Sequence, residues 1–303
     1  MLIATVLWGV AFSAQSRGME YTGPVLFTAL RSATGMLVLV AVTVCMDFFR
    51  KKPVSFFGEA KTVVARKRLL AGGVWCGIVL AVASVLQQAG LKYTTAGKTG
   101  FLTALYIIIV PVAGIIFFKR KTSLLLWLAV LLALVGTYLL CGGIGDIGIG
   151  EILVIACACA YSCHVLVIDK YAAECDCVRL SSIQFAVATV LSCAGILPAG
   201  EVCGWENIAA AMPFWLFCGI GSSAIAFTLQ IFAQKYLHPV TAALLMSLES
   251  VFAVIGGWLF LQERLSAVEF YGCAIILAAV IIAQIPVPPG RAWRSVCREI
   301  QVS

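Results

Sequence analysis

Glu249 stands about ten residues into an apolar run, in the local sequence SLESVF. An ionised carboxylate at such depth is costly, so the group must face other helices, pair, or take a proton. It can then contact an amine or exchange a proton; the alternative is a neutral glutamate hydrogen-bonded for packing. Tyr106, 143 positions earlier in another apolar run, brings a phenol that can donate or accept. Arg31 is the only basic residue clearly inside an apolar run. It either snorkels toward a surface or offers a fixed positive fork to a carboxylate, from a substrate or from Glu249. Arg31 and Glu249 acting together would suit a zwitterion.

Other polar residues in apolar surroundings carry weaker signals. His164 is followed five residues later by Asp169, the HxxxxD spacing of glycerolipid acyltransferases. That chemistry needs a base and its orienting carboxylate in one cleft, whereas positions five apart on a helix point to different faces. His164 is therefore expected to line a pathway or to pack in a bundle, and no catalytic residue is assigned. Gln87, Gln88 and Gln230 are amides near the ends of apolar runs, suited either to bridging helices or to lining gates. Trp8, Gln15 and Lys98 complete the candidates, Lys98 being expected in solvent. Substrate contact is thus expected from Glu249, Tyr106, Arg31, His164, Gln87, Gln230 and Trp8.

The elements that must hold these groups are apolar helices. The chain has 303 residues, 62% of them hydrophobic and 12% charged, against about 25% charged in soluble domains. Such a composition excludes soluble enzymes, secreted disulfide scaffolds and disordered chains. Apolar runs separated by charged or Pro/Gly-rich breaks predict ten spans, at about 2–17, 24–46, 69–91, 99–118, 123–141, 151–169, 180–198, 212–234, 239–261 and 267–286. Segments such as LYIIIVPVAGIIFF are apolar on every side, which a membrane barrel strand is not. Pro111 invites a kink in the fourth span, and Gly73 with Gly77 allows close helix approach, as does Gly256 with Gly257.

The net charge of +7 is an orientation signal. With a cytoplasmic N-terminus, cytoplasmic segments hold 16 of the 21 Lys and Arg residues, Arg179 and the tail arginines Arg291, Arg294 and Arg298 among them. Both termini are therefore expected on the cytoplasmic side of the inner membrane. No removable signal peptide is expected, and the first span is short unless the true start lies upstream of Met1. Most of the 13 cysteines fall inside spans or on the cytoplasmic side, as reduced packing residues. Cys175 and Cys177 lack the ligand spacing of a structural zinc site, so neither metal nor cofactor is expected.

Shifting the chain by 143 residues aligns 81–123 with 224–266 without a gap, with 11 of 43 positions identical. Gln87 meets Gln230, Lys92 meets Lys235, Tyr93 meets Tyr236, and Tyr106 meets Glu249. The shift carries the third and fourth spans onto the eighth and ninth. An offset of five spans is odd, so the copies cross the membrane in opposite directions, a plan found in secondary transporters.

LWGVAF at 7–12, ALR at 29–31, GFLTALYIIIVPVAGIIFF at 100–118 and SLESVFAVIGGWLFLQERLS at 247–266 resemble the paired EamA domains of the drug/metabolite transporter superfamily. The resemblance implies ten helices in two inverted five-helix halves forming a permease for small metabolites, often amino acids or related compounds. The first-half turn KRKT departs from the acidic turn that QERL approaches in the second. The expected organisation is an all-α polytopic membrane protein with repeats over 1–142 and 143–290 and a basic tail over 291–303. The expected activity is alternating-access transport, with export the favoured direction and an ion-independent facilitator the runner-up. Expected partners are a small-molecule substrate and the lipid bilayer, without nucleic acid; a homodimer stays open.

Overall fold

The computed structural model describes residues 1–94, 96–119, 122–140, 147–261, 266–283 and 285, and among them regular structure is helical with no strand. The basic tail, the second-half turn over 262–265 and the middle of the KRKT turn, 120–121, lie outside the described residues. The first half contains α1 (Leu2–Gly18), α2 (Pro24–Phe49), α3 (Val63–Leu91), α4 (Ala96–Thr103), α5 (Tyr106–Phe118) and α6 (Leu124–Leu140). The second contains α7 (Ile149–Ala172), α8 (Cys177–Ile196), the short α9 (Trp205–Ala210), α10 (Met212–Phe217), α11 (Phe227–Gln234), α12 (Pro239–Met246), α13 (Leu248–Leu261) and α14 (Ala267–Ala283). A nine-residue π-helical stretch, Cys218–Ala226, joins α10 to α11.

Among the described residues, six helical segments are long and apolar enough to cross a membrane: 24–49, 63–91, 98–117, 149–172, 177–196 and 212–234. Three shorter apolar helices cover 124–139, 239–255 and 267–283. Large apolar side chains such as Phe117, Leu131 and Val190 are exposed on the outside of the bundle, while Gln15, Arg31, Gln87, His164 and Gln184 are buried within it. A water-soluble protein arranges these classes the other way round.

Helices run past the expected span ends where local capping favours it. α3 starts six residues before 69, because Thr62 accepts a hydrogen bond from the Ala65 N–H at 3.1 Å. α8 starts at Cys177, where Asp176 accepts from the Arg179 N–H at 2.9 Å. Backbone pairing thus carries these helices into charged sequence that hydropathy alone assigns to loops.

The fourth and ninth segments are broken. The expected kink at Pro111 is displaced: α5 continues through that proline, and the irregular turn lies at Ala104–Leu105. There the N–H groups of Leu105, Ile107 and Ile108 bond three residues back instead of four. The ninth segment breaks at Ser247, where the Ser250 N–H bonds the Ser247 carbonyl at 3.1 Å. Its counterpart, 143 positions earlier, is the Ile107 bond to the Ala104 carbonyl at 2.9 Å. No proline follows the second break at the matching position, which is Val254, so a proline is not what the two breaks share.

Helix contacts recur in related pairs. α3 packs on α7 and α8, while α1 packs on α13 and the π stretch; α2 packs on α8, and α6 on α14. Small residues make these approaches close. A Cβ added at Gly73 would lie 2.5 Å from Ile183, and one at Gly77 would lie 2.6 Å from the Gln184 carbonyl oxygen. α1 meets α13 at Gly9, whose added Cβ would come within 2.7 Å of the Glu249 carbonyl. The surroundings of Gly256 and Gly257 are outside the described set.

Candidate functional site

The two helix breaks set the centre of the site. Tyr106 is the first residue of α5 and Glu249 the second of α13, so both project from turns where the backbone has just lost its regular pairing. The Tyr106 hydroxyl donates to Glu249 Oε1 at 3.0 Å, and both side chains are buried. Around them lies a small cavity lined by both polar and apolar side chains. α1 contributes Trp8, Phe12 and Gln15 to its wall, and α2 contributes Arg31. Gln87, Thr103 and Tyr161 come from α3, α4 and α7; Ser222, Phe227 and Met246 close it from the π stretch, α11 and α12.

Arg31 does not snorkel to a surface. It is only 4% exposed, and its Nη1 donates to Gln15 Oε1 at 3.3 Å while the side chain lines the cavity. Among the described residues no ion pair joins it to Glu249 or to another carboxylate. A buried guanidinium with one amide partner keeps donors available to an anion that enters the cavity. Opposite in chemistry is Glu249, a carboxyl held by a single phenol. The two groups give one cavity a site for negative charge and a site for positive charge.

Gln87 ties two further walls together. Its Nε2 donates to Thr103 Oγ1 at 3.4 Å, and its Oε1 accepts from the Tyr161 hydroxyl at 3.4 Å. Gln230 sits outside the cavity. Its Nε2 donates to Gln234 Oε1 at 2.9 Å and approaches Met246 Sδ at 3.6 Å. Each glutamine therefore contacts the residue sixteen positions later, Thr103 in one case and Met246 in the other, and both of those line the cavity.

His164 is likewise away from the cavity wall. It is fully buried, with Nε2 at 3.1 Å from Gln184 Oε1 and its ring edge-on to Phe227. It lies outside the cavity described above, so the histidine of the HxxxxD pattern packs against α8 and α11. Gln88 is also fully buried, and neither end of its amide has a hydrogen-bond partner among the described residues, so of its two expected roles the bridging one is not seen. Lys98, expected in solvent, lies 3.7 Å from Glu151 of α7 and is only partly exposed. Cys175, in the turn between α7 and α8, has its thiol pushed up from the ordinary range by burial, and then by neighbouring Glu174.

Five of the seven sequence-derived candidates, Glu249, Tyr106, Arg31, Gln87 and Trp8, meet at this cavity; His164 and Gln230 do not. The sequence reading missed Phe12, Thr103, Tyr161, Ser222, Phe227 and Met246. A signal existed for one pair only: Thr103 and Met246 are 143 positions apart, like Tyr106 and Glu249.

A second polar cluster lies where α2 ends and α8 begins. Arg179 Nη2 meets Asp47 Oδ1 at 2.6 Å and Oδ2 at 2.8 Å, and its Nη1 meets Asp176 at 3.2 Å. Arg179, expected as a loop cation, is thus buried and neutralised. At the other end of α2, Glu201 accepts from the Val25 and Leu26 N–H groups at 3.1 and 2.8 Å, and so satisfies a helix start that Gly23 cannot cap.

The model of the EamA-like transporter family matches residues 1–142 and 148–284. An uncharacterized transporter of Archaeoglobus fulgidus is 26% identical over 95% of this chain and 85% of its own. The threonine/homoserine exporter RhtA of Salmonella typhimurium is 24% identical, covering 84% and 79%. An S-adenosylmethionine/S-adenosylhomocysteine transporter of Chlamydia trachomatis is 23% identical, covering 89% and 85%. One crystal structure superposes with a TM-score of 0.75 over 93% of both chains at 19% identity, and so shares the fold.

Proposed function

Since the chain belongs to the EamA-like transporter family and is a multi-pass membrane protein, we propose that it moves a small zwitterionic metabolite, an amino acid or a related compound, across the inner membrane by alternating access. Ten spans in two inverted halves carry the reaction, both termini are cytoplasmic, and export is the direction. The observation that carries this reading is the Tyr106–Glu249 hydrogen bond between positions 143 apart. Two equivalent positions can touch only where the axis relating the halves passes, and in inverted-repeat transporters the solute site lies there. The paired Gln87–Thr103 and Gln230–Met246 contacts and the paired helix breaks support the same relation. Both charged groups face this cavity, and both relatives with named substrates carry compounds with an amino-acid head group.

In this mechanism the solute carboxylate takes the free donors of Arg31, and its ammonium takes Glu249. Tyr106 is the group displaced, since the carboxylate it now holds is the one the ammonium needs. The apolar part of the solute lies against Phe12, Phe227 and Met246. Purified protein in proteoliposomes should exchange labelled amino acids, with and without an imposed pH gradient. Failure across amino acids, amines, organic acids and nucleosides would remove the proposal.

A further inference from the structure

Two buried polar atoms in adjoining elements have no hydrogen-bond partner among the described residues: the indole Nε1 of Trp8 and the amide Oε1 of Gln230. One is a donor only and the other an acceptor, and each is costly to leave unpaired in a low-dielectric interior. The indole of Trp8 packs against Phe227, with ring centroids 5.0 Å apart, and Gln230 is three residues further along α11, on the same face. The two groups are neighbours that do not meet.

The other half holds the satisfied version of this pair. Tyr161 of α7 donates to Gln87 Oε1, and Gln87 is the residue matched to Gln230 by the shift of 143. Tyr161 stands against Ser84 of α3, as Trp8 stands against Phe227 of α11. Ser84 and Phe227 are again 143 positions apart. Trp8 and Tyr161 therefore occupy equivalent places, each beside the residue three before the glutamine of the opposite half, and here only the Tyr161 hydroxyl reaches that glutamine. In this structure one glutamine is bonded by its partner and lines the cavity; the other is turned to Gln234 and lies outside it.

We propose that Trp8 and Gln230 form the counterpart of the Tyr161–Gln87 hydrogen bond in the opposite-facing conformation, where Gln230 lines the solute cavity and Gln87 withdraws from it. The inference rests on the two-halves reading above. Exchange of conformations between inverted halves interchanges the surroundings of matched residues. Trp8 Nε1 then finds the acceptor it lacks, and Tyr161 loses its own. The pairs thus bias one equilibrium from its two ends, and the solute meets an amide donor in both states: Gln87 in one and Gln230 in the other. Gln230 is accordingly a solute-site residue even though it is outside the cavity here.

The test uses the full-length protein in lipid nanodiscs, with exposed cysteines replaced and spin labels at Glu20→Cys and Lys92→Cys, both exposed and next to the ends of α1 and α3. Distance distributions report the two conformations with no need to know the solute. Removing the Tyr161 hydroxyl (Tyr161→Phe) should lower the ratio of the present conformation to the other by roughly 2- to 10-fold. Trp8→Phe and Gln230→Leu should each raise it by a similar factor, and the double variant should raise it no further than one single change. A single distance population in all variants, unmoved by any added solute, would overturn the alternating-access reading itself. Two populations that Trp8→Phe and Tyr161→Phe shift in the same direction, or a double variant whose shift is the product of the singles, would overturn this inference and leave that reading standing.

Discussion

Tyr106 and Glu249, joined at 3.0 Å, are separated by 143 residues, the interval that aligns 81–123 with 224–266. A phenol and a carboxyl have thus come to occupy matched positions in the two repeats, and they meet. Were both positions tyrosine or both glutamate, the centre would hold either no acid or two carboxyls in contact. Unlike side chains at matched places are what give the centre one acid and one donor.

Glu249 is the acid at this centre, and a proton-coupled mechanism would place the coupling proton on it. Glu249→Gln keeps the size and a hydrogen-bonding tip but has no proton to exchange. It should abolish transport driven by a pH gradient while leaving the purified protein folded and monodisperse. Normal gradient-driven accumulation by this variant, measured in proteoliposomes, would remove the coupling role and leave the ion-independent facilitator.

Arg31 should read the carboxylate. Arg31→Gln is expected to weaken solute binding roughly 10- to 100-fold, the range for a lost hydrogen bond to a charged group. Arg31→Lys should recover only part of it, because an ammonium lacks the planar fork. Decarboxylated analogues of the solute should bind wild type and Arg31→Gln alike; equal binding of the full solute by both proteins would exclude the role.

The Asp47–Arg179 pair should follow the rule for charges removed from water. Arg179→Leu leaves Asp47 buried without its cation and should lower the thermal unfolding midpoint more than Asp47→Leu combined with Arg179→Leu does. Arg179→Leu alone being the milder of the two would show the ion pair to be incidental to stability.

Gly77 tests the packing of α3 on α8. Alanine there gains up to about 1 kcal/mol of helix propensity. Its Cβ would nonetheless sit 2.6 Å from a backbone carbonyl, and such overpacking costs about 1–3 kcal/mol. Net destabilisation is expected, visible as a lower midpoint in detergent. Gly114→Ala, where an added Cβ meets nothing within 4 Å, is the control.

Much of this architecture was legible before any coordinates, because a bilayer imposes a simple code. Apolar runs located the helices, and the 143-residue shift brought Tyr106 and Glu249 together as a pair. Isolated charge at depth singled out Arg31 for the same reason. What stayed hidden depends on facing. Phe12, Phe227 and Met246 have the composition of packing residues, and only the direction in which their helices present them makes them cavity wall. Arg179 and Asp47 lie at the ends of apolar runs, where a charge ordinarily meets water; their mutual burial comes from two helices that are distant in sequence. The break at Ala104–Leu105 has no proline or glycine in it to announce it, whereas Pro111 drew attention to a place where the helix continues.

The π-helical stretch Cys218–Ala226 has a mechanical meaning that the contacts alone do not express. The matching residues of the first half, 75–83, wind as ordinary α-helix within α3. A π turn accommodates one residue more than an α turn, so the segment leading to Gln230 contains slack that α3 lacks. Rewinding one such turn as α would rotate α11 against α10 by about 100° and slide it by about 1.5 Å. That is a screw motion rather than a hinge, confined to a single helix. Such travel would be counted in whole residues, because each register restores a set of backbone hydrogen bonds that the positions between them lack.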